Sequence, residues 1–569
     1  MNSETRNCQN CKNDFAIEPD DFSFYEKIKV PPPTFCPECR MIRRMVWRNH
    51  RSLYKRVCGL CSKSLISMYQ SEDTPVYCIE CFNGDNWDQY IFAEDIDFSR
   101  NFIQQIFDIF SKQPRIYQYR IGTVVNSDYG NSIVNCKNAY LSFSVVDCEE
   151  VMYCESVDRT KNTIDSFASY DLDNCYQNIL SDRNYNSHFM ISSHSCIDSL
   201  FLFDCTNCQS CALSSNLRNK KYVFKNKQLS KDEYEDEISK LNTHTFSGLE
   251  KSKIEFSFIY QNAIHKYADI LNSQNSNGNF ILNSKDVHNS FDATNGCENI
   301  RNSFRMIKSK DAMDCQYVLT GEMIYECSSS SQNSYQHIAS LFCFSSKNIE
   351  YSMFCKNCSD CFGCVGLKNA KYCILNKQYT EQEYFKNISA LRKSMNDNPY
   401  IDQQGRVYSY GDFFPFEKSP FSYNETVALD YFPLSKNEIK NKGYSLKDKD
   451  VNNYSITLNN EDLPDDISTT DDSILDEIIS CTNTGKETTQ CTTAFRIVRD
   501  ELQFYRQKKL PLPRLCPNCR HYDRLKYRNP MKLYERVCSN GCGNSFQTTY
   551  APDRPEKVYC ESCYQKEVL

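Results

Sequence analysis

Glycine, histidine and nucleotide-binding loops are scarce or missing in this chain. Only 16 of its 569 residues are glycine and only 8 are histidine. We find neither a G-x-G-x-x-G run nor a Walker-type loop, both of which need glycines at fixed spacing to bring backbone amides against a phosphate. The composition therefore argues against a doubly wound nucleotide-binding fold.

The sequence also has no apolar segment of the length that crosses a membrane. No stretch of about 18 apolar residues occurs, so we expect no membrane span. Residues 1–11 are polar and show no signal-peptide core. Cysteines in Cys-x-x-Cys pairs without a secretory signal are typical of metal ligands in a reducing compartment. We predict a cytoplasmic protein, with an exported, disulfide-linked protein as the alternative.

Cysteine itself is abundant, with 33 residues, and many of them lie in a module that occurs twice. Residues 15–58 and 495–538 align without a gap, and 20 of 44 positions are identical. The chain is therefore organised as a module, a long insert and a second module.

The spacing of the paired cysteines predicts tetrahedral metal sites. Two Cys-x-x-Cys pairs about 15–25 residues apart are the ligand layout of a four-thiolate zinc site, and soft thiolates favour Zn²⁺. We pair the knuckles sequentially; a cross-braced arrangement and an Fe–S cluster are the alternatives. The complete sets are Cys8, Cys11, Cys36 and Cys39; Cys58, Cys61, Cys78 and Cys81; and Cys538, Cys542, Cys560 and Cys563, whose first knuckle has one extra residue.

The remaining set, in the C-terminal module, is incomplete. Cys491, Cys516 and Cys519 match the first module, but Thr488 stands where Cys8 would map. Either Cys481 or His521 supplies the fourth ligand, or the site has lost its metal. We therefore expect three zinc ions, and four if this set is completed.

A basic segment lies between the knuckles of each module. Its arginines recur every four residues, which on a helix places three guanidiniums on one face. Such a face suits phosphate and predicts docking on a nucleic-acid backbone. The alternative is that these arginines are solvated or bond acids and carbonyls inside the protein. The phosphate-binding candidates are Arg40, Arg44, Arg48, Arg520, Arg524 and Arg528.

Phe24-Tyr25 with Cys36-Pro37-x-Cys39-Arg40, and their copy 480 residues on, resemble the probable zinc-ribbon (treble-clef-like) family of small bacterial domains. The resemblance covers about 35 residues at each end. It implies zinc and a binding role, with no defined activity. The whole arrangement also resembles large uncharacterised proteins of Candidate Phyla Radiation bacteria. Some of those carry a CoA-transferase label, which nothing in this sequence supports.

The insert has a period of twelve residues. Cys136, Cys148, Cys196 and Cys208 differ by multiples of twelve, and the column three residues on is nearly all small or β-branched. A short fixed period with one small inward column is typical of a β-solenoid. Its 17 cysteines are interpreted as buried fillers, with a metal site in the Cys-x-x-Cys-x-x-Cys runs as the alternative.

The repeat is itself duplicated. Residues 205–228 and 355–378 align with 11 of 24 identities. Each copy runs into a capping box, Ser230-x-x-Glu233 or Thr380-x-x-Glu383, which predicts a short helix covering the end of the repeat. Residues 97–111 predict an amphipathic helix that caps the first copy.

We therefore predict a mainly β protein: a duplicated parallel β-solenoid flanked by N- and C-terminal zinc-ribbon modules, with a few short capping helices. The predicted divisions are a double zinc-ribbon module at 1–86, a helical connector at 87–125, solenoid halves with capping helices at 126–241 and 242–395, an aromatic and proline-rich segment at 396–450, an acidic flexible linker at 451–486 and a second double zinc-ribbon module at 487–569.

Nothing in the sequence indicates a reaction. We predict a non-enzymatic zinc-binding protein whose basic modules bind nucleic acid or a ribonucleoprotein, with the solenoid as a rigid spacer. One alternative is a scaffold that binds protein partners on the solenoid face. The other is a polysaccharide-acting β-helix enzyme, which would need paired carboxylates. Its candidates, which fall in no repeating pair, are Asp147, Asp165, Asp173 and Asp204.

Overall fold

The computed structural model describes residues 2–448, 455–485 and 489–569. Within them the protein is mainly β, as predicted, with two long, largely parallel sheets and twelve α-helices. The helices are α1 Pro19–Ile28, α2 Pro37–Met45, α3 Ile79–Asn83, α4 Phe102–Lys112, α5 Lys231–Lys240, α6 Phe246–Asn262, α7 Glu381–Asp397, α8 Val427–Tyr431, α9 Lys436–Asn441, α10 Arg499–Lys508, α11 Pro517–Leu525 and α12 Glu561–Val568.

The first long sheet has 11 strands and follows the predicted twelve-residue period. Glu149 pairs with Lys137 and Lys161, and His188 pairs with Tyr176 and Leu200, always in parallel. Only the last strand turns back antiparallel. The strands are Lys137–Tyr140, Glu149–Met152, Glu155–Asp158, Lys161–Ile164, Phe167–Tyr170, Tyr176–Ile179, His188–Ile191, Leu200–Phe203, Gln209–Ser215, Lys221–Phe224 and Lys227–Gln228.

The second long sheet has 13 strands and repeats this arrangement. Most of its register also advances by twelve residues, although Phe291 pairs with Phe304 and Ile324 with His337, thirteen residues on. The strands are Ile270–Leu271, Gly278–Leu282, Lys285–His288, Ser290–Thr294, Glu298–Arg301, Phe304–Ile307, Lys310–Leu319, Gly321–Ser328, Ser334–Ile338, Lys347–Glu350, Ser359–Phe362, Lys371–Ile374 and Lys377–Gln378.

A three-residue rhythm inside each repeat explains the small inward columns. Asn135, Asn138 and Leu141 have φ of +49°, +54° and +44°, so the backbone turns at every third residue. Asn and Asp tolerate this left-handed conformation better than other non-glycine residues, which accounts for their frequency here. The residue after each such turn faces inward: Cys136 and Ala139 are 1% and 0% exposed. Close packing at these buried positions favours small or slender side chains.

Each terminal module consists of short antiparallel hairpins and helices that begin at a cysteine. Cys36 is the N-cap of α2, with proline at the first helical position, and Cys516 stands in the same place before α11. Proline is favoured there because that amide has no intrahelical acceptor. The paired strands are Glu4–Asn7 with Asp14–Ile17, Tyr54–Val57 with Ser64–Ser67, Ile479–Ser480 with Ala494–Phe495, and Tyr534–Val537 with Ser545–Thr548.

The modules cross over, so that each contacts both repeat regions. In the N-terminal module, α2 packs on the second sheet, while Val76–Tyr77 pairs with Arg115–Ile116 just before the first sheet. In the C-terminal module, α11 bonds the first sheet, while Lys557–Tyr559 pairs with Ile264–Lys266 just before the second. The two ends of the chain therefore tie the halves of the insert together.

Two connecting regions differ from expectation. Helix α4 forms near the predicted place, but Phe102 packs against Phe362 of the second sheet, at 5.2 Å between ring centroids, rather than capping the first. In the acidic segment, Leu463, Ile467 and Ile474 are buried at 4–5% exposure, so these residues are not a solvated linker. The rest of the 451–486 division is only partly within the described residues.

The remaining features agree with the sequence. Both predicted capping boxes are present at the starts of α5 and α7. A two-stranded hairpin, Tyr400–Ile401 with Val407–Tyr408, opens the aromatic segment. Among the described residues, we find no helix of sufficient length and apolarity to cross a membrane.

Candidate metal centres and the arginine helices

Four groups of four cysteine thiols converge in the terminal modules. In each group, the four sulfur atoms lie within 4.8 Å of one another. The knuckles pair sequentially, as predicted, and not in the cross-braced manner. The groups are Cys8, Cys11, Cys36 and Cys39; Cys58, Cys61, Cys78 and Cys81; Cys481, Cys491, Cys516 and Cys519; and Cys538, Cys542, Cys560 and Cys563.

The sulfur separations fit a tetrahedral ion. Cys11 and Cys36 have their sulfurs 3.7 Å apart, and Cys61 and Cys78 have theirs 3.9 Å apart. A tetrahedral Zn²⁺ with Zn–S distances of about 2.3 Å would place its sulfurs about 3.8 Å apart. These clusters are therefore compatible with metal-binding modules, and zinc is the metal that four thiolates typically hold.

The third cluster shows how the C-terminal module compensates for its missing cysteine. The amide of Cys516 donates to Sγ of Cys481 at 3.2 Å, the same bond that the amide of Cys36 makes to Sγ of Cys8 at 3.2 Å. Cys481 therefore takes the role of Cys8 from a different point in the chain. His521 is not part of this cluster, and Thr488 lies outside the described residues.

At Cys58 and Cys560, local hydrogen bonds lower the pKa and favour the thiolate, which is the form that binds metal. Burial raises the pKa of Cys58, but the backbone amides of Cys61 and Cys78 outweigh it, and the pKa falls to about 6. The hydroxyl of Ser562 is the main cause that lowers the pKa of Cys560 to about 5. These groups are prepared to give up their protons when an ion binds.

The arginines of the first module point into the protein. Arg40 and Arg44 are 2% and 0% exposed. The guanidinium of Arg40 bonds Asp314, and that of Arg44 bonds Glu326 at 2.8 Å. Arg48 instead stacks on the ring of Tyr317, at 3.7 Å from the ring centroid.

The arginines of the second module repeat this arrangement on the other sheet. Arg520 and Arg524 are 4% and 3% exposed, and both bond Asp165, at 2.9 and 2.6 Å. Burial lowers the pKa of Arg520, but Asp165 and other neighbours raise it well above its usual value. Arg528 stacks on the ring of Tyr431, at 3.6 Å from the ring centroid.

These contacts match the alternative interpretation of the arginines, in which they bond acids inside the protein. Phosphate binding by the same side chains stays a prediction. In this conformation, the guanidiniums at the four most buried positions are not exposed to a ligand: Arg40, Arg44, Arg520 and Arg524. The charge that the sequence places on one helix face is used to attach that helix to a sheet.

Asp314 and Asp165 are the partners that sequence reasoning missed. The two aspartates lie at equivalent places in the two repeat regions. Moving from each one to its register partner in the next strand, five times in succession, leads from Asp165 to Lys225 and from Asp314 to Leu375. These two end points are 150 residues apart, which is the offset of the duplication. A signal was available. Aligning the two repeats step by step, including their thirteen-residue steps, would have placed an acid at the same position in both.

The sheet cysteines are arranged differently from those of the modules. Their thiols donate to carbonyls two residues earlier, as from Cys205 to Phe203 at 3.4 Å and from Cys361 to Ser359 at 3.5 Å. Ser193 makes the same bond to Ile191 at 3.0 Å. In the part of the chain that the structure describes, no candidate metal cluster includes a sheet cysteine. The buried-filler interpretation is therefore favoured.

The carboxylates considered for glycoside chemistry each bond a donor from a neighbouring repeat or module. Asp165 serves the buried arginines described above. The other three are held by Asn135 on Asp147, Asn162 on Asp173, and Arg218 on Asp204. These contacts give each carboxylate a structural role.

One further group of side chains that could bind a metal contains no cysteine. Glu155, Asp430 and His521 place their ligand atoms within 4.8 Å of one another, and all three are buried. Sequence reasoning considered His521 only as a ligand of the third thiolate cluster.

Comparison with protein-family models gives no match to this chain, and none of the curated proteins matches it either. Function is therefore inferred from the geometry alone.

Proposed function

We propose that this protein is a non-enzymatic zinc protein in which four zinc sites, each made of four thiolates, lock a double β-solenoid into a rigid scaffold for protein partners. The observation that carries this proposal is the crossing of the modules. Each module docks one helix on the far sheet and one strand beside the near one. Such an arrangement uses metal to hold the two halves in one orientation.

Zinc is supported by the donor set. Four thiolates without a redox partner in tetrahedral spacing are typical of structural zinc, which contributes directly to folding. The resemblance of both modules to the zinc-ribbon family agrees with this assignment. In small modules with little core of their own, the ion fixes the knuckle and the helix start that carry the docking arginines.

A solenoid is supported by the register. Most parallel strands of both sheets pair with the segment twelve or thirteen residues on, and the side chain after each left-handed residue is usually buried. Each repeat would then be one turn of a narrow coil that stacks on the next. All 33 cysteines are free thiols, which agrees with a cytoplasmic location.

Protein partners are favoured over nucleic acid because the helix arginines are already paired. An exposed aromatic feature also recurs in both sheets: Tyr185 and Tyr335 are 49% and 39% exposed and lie 150 residues apart, at equivalent steps of the register. Tyrosine is enriched at binding hot spots. Ile197, the register neighbour of Tyr185, is 41% exposed and extends this surface.

The test has two measurements. Metal analysis of the purified protein should give four zinc ions per chain. Titration with single- and double-stranded DNA and with RNA at physiological salt should give no binding tighter than the non-specific range of about 10⁻⁴ to 10⁻⁶ M. Submicromolar, steeply salt-dependent binding would overturn the scaffold proposal in favour of a nucleic-acid binder.

The partner surface is tested by a Tyr185→Ser/Tyr335→Ser variant. Proteins that crosslink to the wild-type chain should be lost from this variant, while Tyr129→Ser, at a tyrosine of 43% exposure elsewhere, should retain them. Retention of every crosslink by the double variant would exclude these tyrosines as the binding surface.

A further inference from the structure

We infer that Glu155, Asp430 and His521 form a fifth metal site, for a divalent ion of the zinc or manganese class. The site differs in chemistry from the four thiolate clusters because it offers one imidazole and two carboxylates. It also lies where four parts of the chain meet. Glu155 belongs to the first sheet, Asp430 to α8 and His521 to α11, and His50 approaches from the N-terminal module.

The imidazole of His521 is the first observation that points to a ligand. Its side chain is 0% exposed, and neither ring nitrogen has a hydrogen-bond partner among the described residues. Nδ1 lies 3.5 Å from Oε2 of Glu155, and Nε2 lies 3.6 Å from Oδ2 of Asp430. A neutral imidazole has only one N–H, so it cannot donate to both carboxylates. A buried polar group without a partner is costly, and an ion among these groups would remove that cost.

One ligand atom from each of the three residues lies within 4.8 Å of the other two, with a single ring nitrogen counted for His521. Metal–nitrogen and metal–oxygen distances of about 2.0–2.2 Å in a tetrahedral site require ligand–ligand edges of about 3.3–3.6 Å, so a bound ion would draw these atoms closer together. Two carboxylates and one imidazole would give three protein ligands and leave room for water. A cavity of about 90 Å³ reaches the cluster beside Asp430 and His50, and its lining also includes Arg51, Asn518 and Tyr522. This volume is large enough to hold water beside Asp430, the one proposed ligand that lines it.

The surrounding groups support the ligands. Nε2 of His50 accepts from Arg48 at 2.9 Å, which places the ring proton on Nδ1, facing Oε1 of Glu155 at 3.7 Å. Arg51 lies 3.3 Å from Oε2 of Glu155 and partly balances the two carboxylates. Metal ligands are commonly oriented by such neighbours.

The charges leave one negative unit for the ion to compensate. Glu155 and Asp430 supply two negative charges, and Arg51 is the one guanidinium that forms an ion pair with either of them among the described residues. Arg528 bonds the backbone carbonyl of Asp430 rather than its carboxylate. A divalent ion here would join α11 of the C-terminal module to α8 and to the first sheet.

The experiment counts metal ions in the full chain. Protein incubated with ZnCl₂ and desalted should carry five equivalents by mass spectrometry. Incubation of the four-zinc form with MnCl₂ should give one bound Mn²⁺ by electron paramagnetic resonance, since manganese prefers oxygen and nitrogen ligands to thiolates. Asp430→Asn and His521→Gln should each lose this equivalent. His188→Gln, a buried histidine in the first sheet, is the matched control and should keep it.

The thiolate clusters are followed independently by Co²⁺ substitution, because cobalt–thiolate charge-transfer absorption arises only from cysteine sites. Variants that keep this absorption but lose Mn²⁺ support the fifth site even if the scaffold function proves wrong. Loss of the absorption in wild-type protein would instead refute the four-thiolate zinc sites. If a variant does not fold, the wild-type Mn²⁺ titration decides: no binding at 1 mM MnCl₂, or Mn²⁺ retained by folded Asp430→Asn and His521→Gln, overturns the proposal.

Discussion

In the terminal modules, cysteines three residues apart converge on a shared centre with two other thiols, whereas the long-sheet cysteines at the same spacing belong to no candidate metal cluster among the described residues and bond the backbone. Cys36 and Cys39 share a cluster with two other thiols, and the amide of Cys39 donates to Sγ of Cys36 at 3.5 Å. Cys208 and Cys211 occupy successive inward positions, and their thiols donate to carbonyls at 3.5 Å. One spacing therefore produces two kinds of chemistry.

The backbone makes the difference. In a knuckle, the two cysteines flank a tight turn or a helix start, which points both sulfurs at one centre. In the sheets, a left-handed residue follows every two others, and cysteines three apart are buried without joining a candidate metal cluster among the described residues. There, cysteine acts as a small apolar filler and alternates with serine and alanine. A Cys-x-x-Cys pair identifies a metal site only when its local conformation is known.

The largest expected effect is a difference in thiol accessibility between the cluster cysteines of the modules and the cysteines of the long sheets. After removal of metal by a chelator under otherwise native conditions, alkylation should label the 16 cluster cysteines and spare the 17 sheet cysteines. The reason is that structural zinc supplies about 10–16 kcal/mol to the folding of small modules, while the sheet thiols are enclosed without metal. Peptide mass spectrometry reads the result. Equal labelling of the cluster cysteines and the sheet cysteines would contradict the distinction between them.

A single ligand substitution should have the next largest effect. Cys516→Ser removes a thiolate from the third cluster, so we expect one zinc ion fewer and a loss of about 4 kcal/mol or more in unfolding free energy. Metal analysis and chemical denaturation measure the two quantities. If the zinc count stays unchanged, Cys481 does not complete a metal site in this module.

Docking of a module on its sheet is tested at Asp165. Asp165→Asn would leave Arg524 buried without a carboxylate and Arg520 with Glu501 as its remaining partner, and breaking a buried ion pair costs about 3–5 kcal/mol. Thermal and chemical denaturation measure the change. Asp147→Asn is the matched control, because this exposed carboxylate bonds Asn135 and should change stability by about 0.5 kcal/mol or less. Similar effects for the two variants would contradict the docking role.

The smallest effect is expected inside a sheet. Cys211→Ser places a hydroxyl in a column where Ser199, one repeat earlier, already donates to Ile197 at 2.9 Å. Because the new hydroxyl finds the same kind of acceptor, we expect a change of about 1 kcal/mol or less. The zinc count should stay at its wild-type value. A loss of metal in this variant would revive the metal interpretation of the sheet cysteines.

Much of the architecture follows from the sequence pattern. The knuckle spacing predicted three clusters completely, and the twelve-residue period predicted the register of the first sheet. The capping boxes at Ser230 and Thr380 located two helix starts. These features are local: each depends on residues a few positions apart or on a repeat that the chain shows directly.

The features that sequence reasoning missed are those that depend on distant parts of the chain. The periodicity of the arginines predicted one helix face correctly, but an isolated helix gives no information on whether that face meets phosphate, water or Asp314. Cys481 was one of two candidates because ten residues separate it from the rest of its set. The grouping of Glu155, Asp430 and His521 brings together positions up to 366 residues apart, which no local pattern encodes.

The sequence by itself determined the thiolate sets, the repeat and its duplication, because these follow from spacing, and spacing fixes which side chains a turn or a strand brings together. Only the tertiary structure decided that each module reaches across to the opposite sheet. It also decided that helix α4 packs on the second repeat rather than the first. The physical reason is that apolar burial is non-directional, so it does not by itself select which sheet a helix packs against. Buried arginines, in contrast, require acids at matching positions. Asp165 in the first sheet supplies the acid for α11, and Asp314 in the second sheet supplies it for α2.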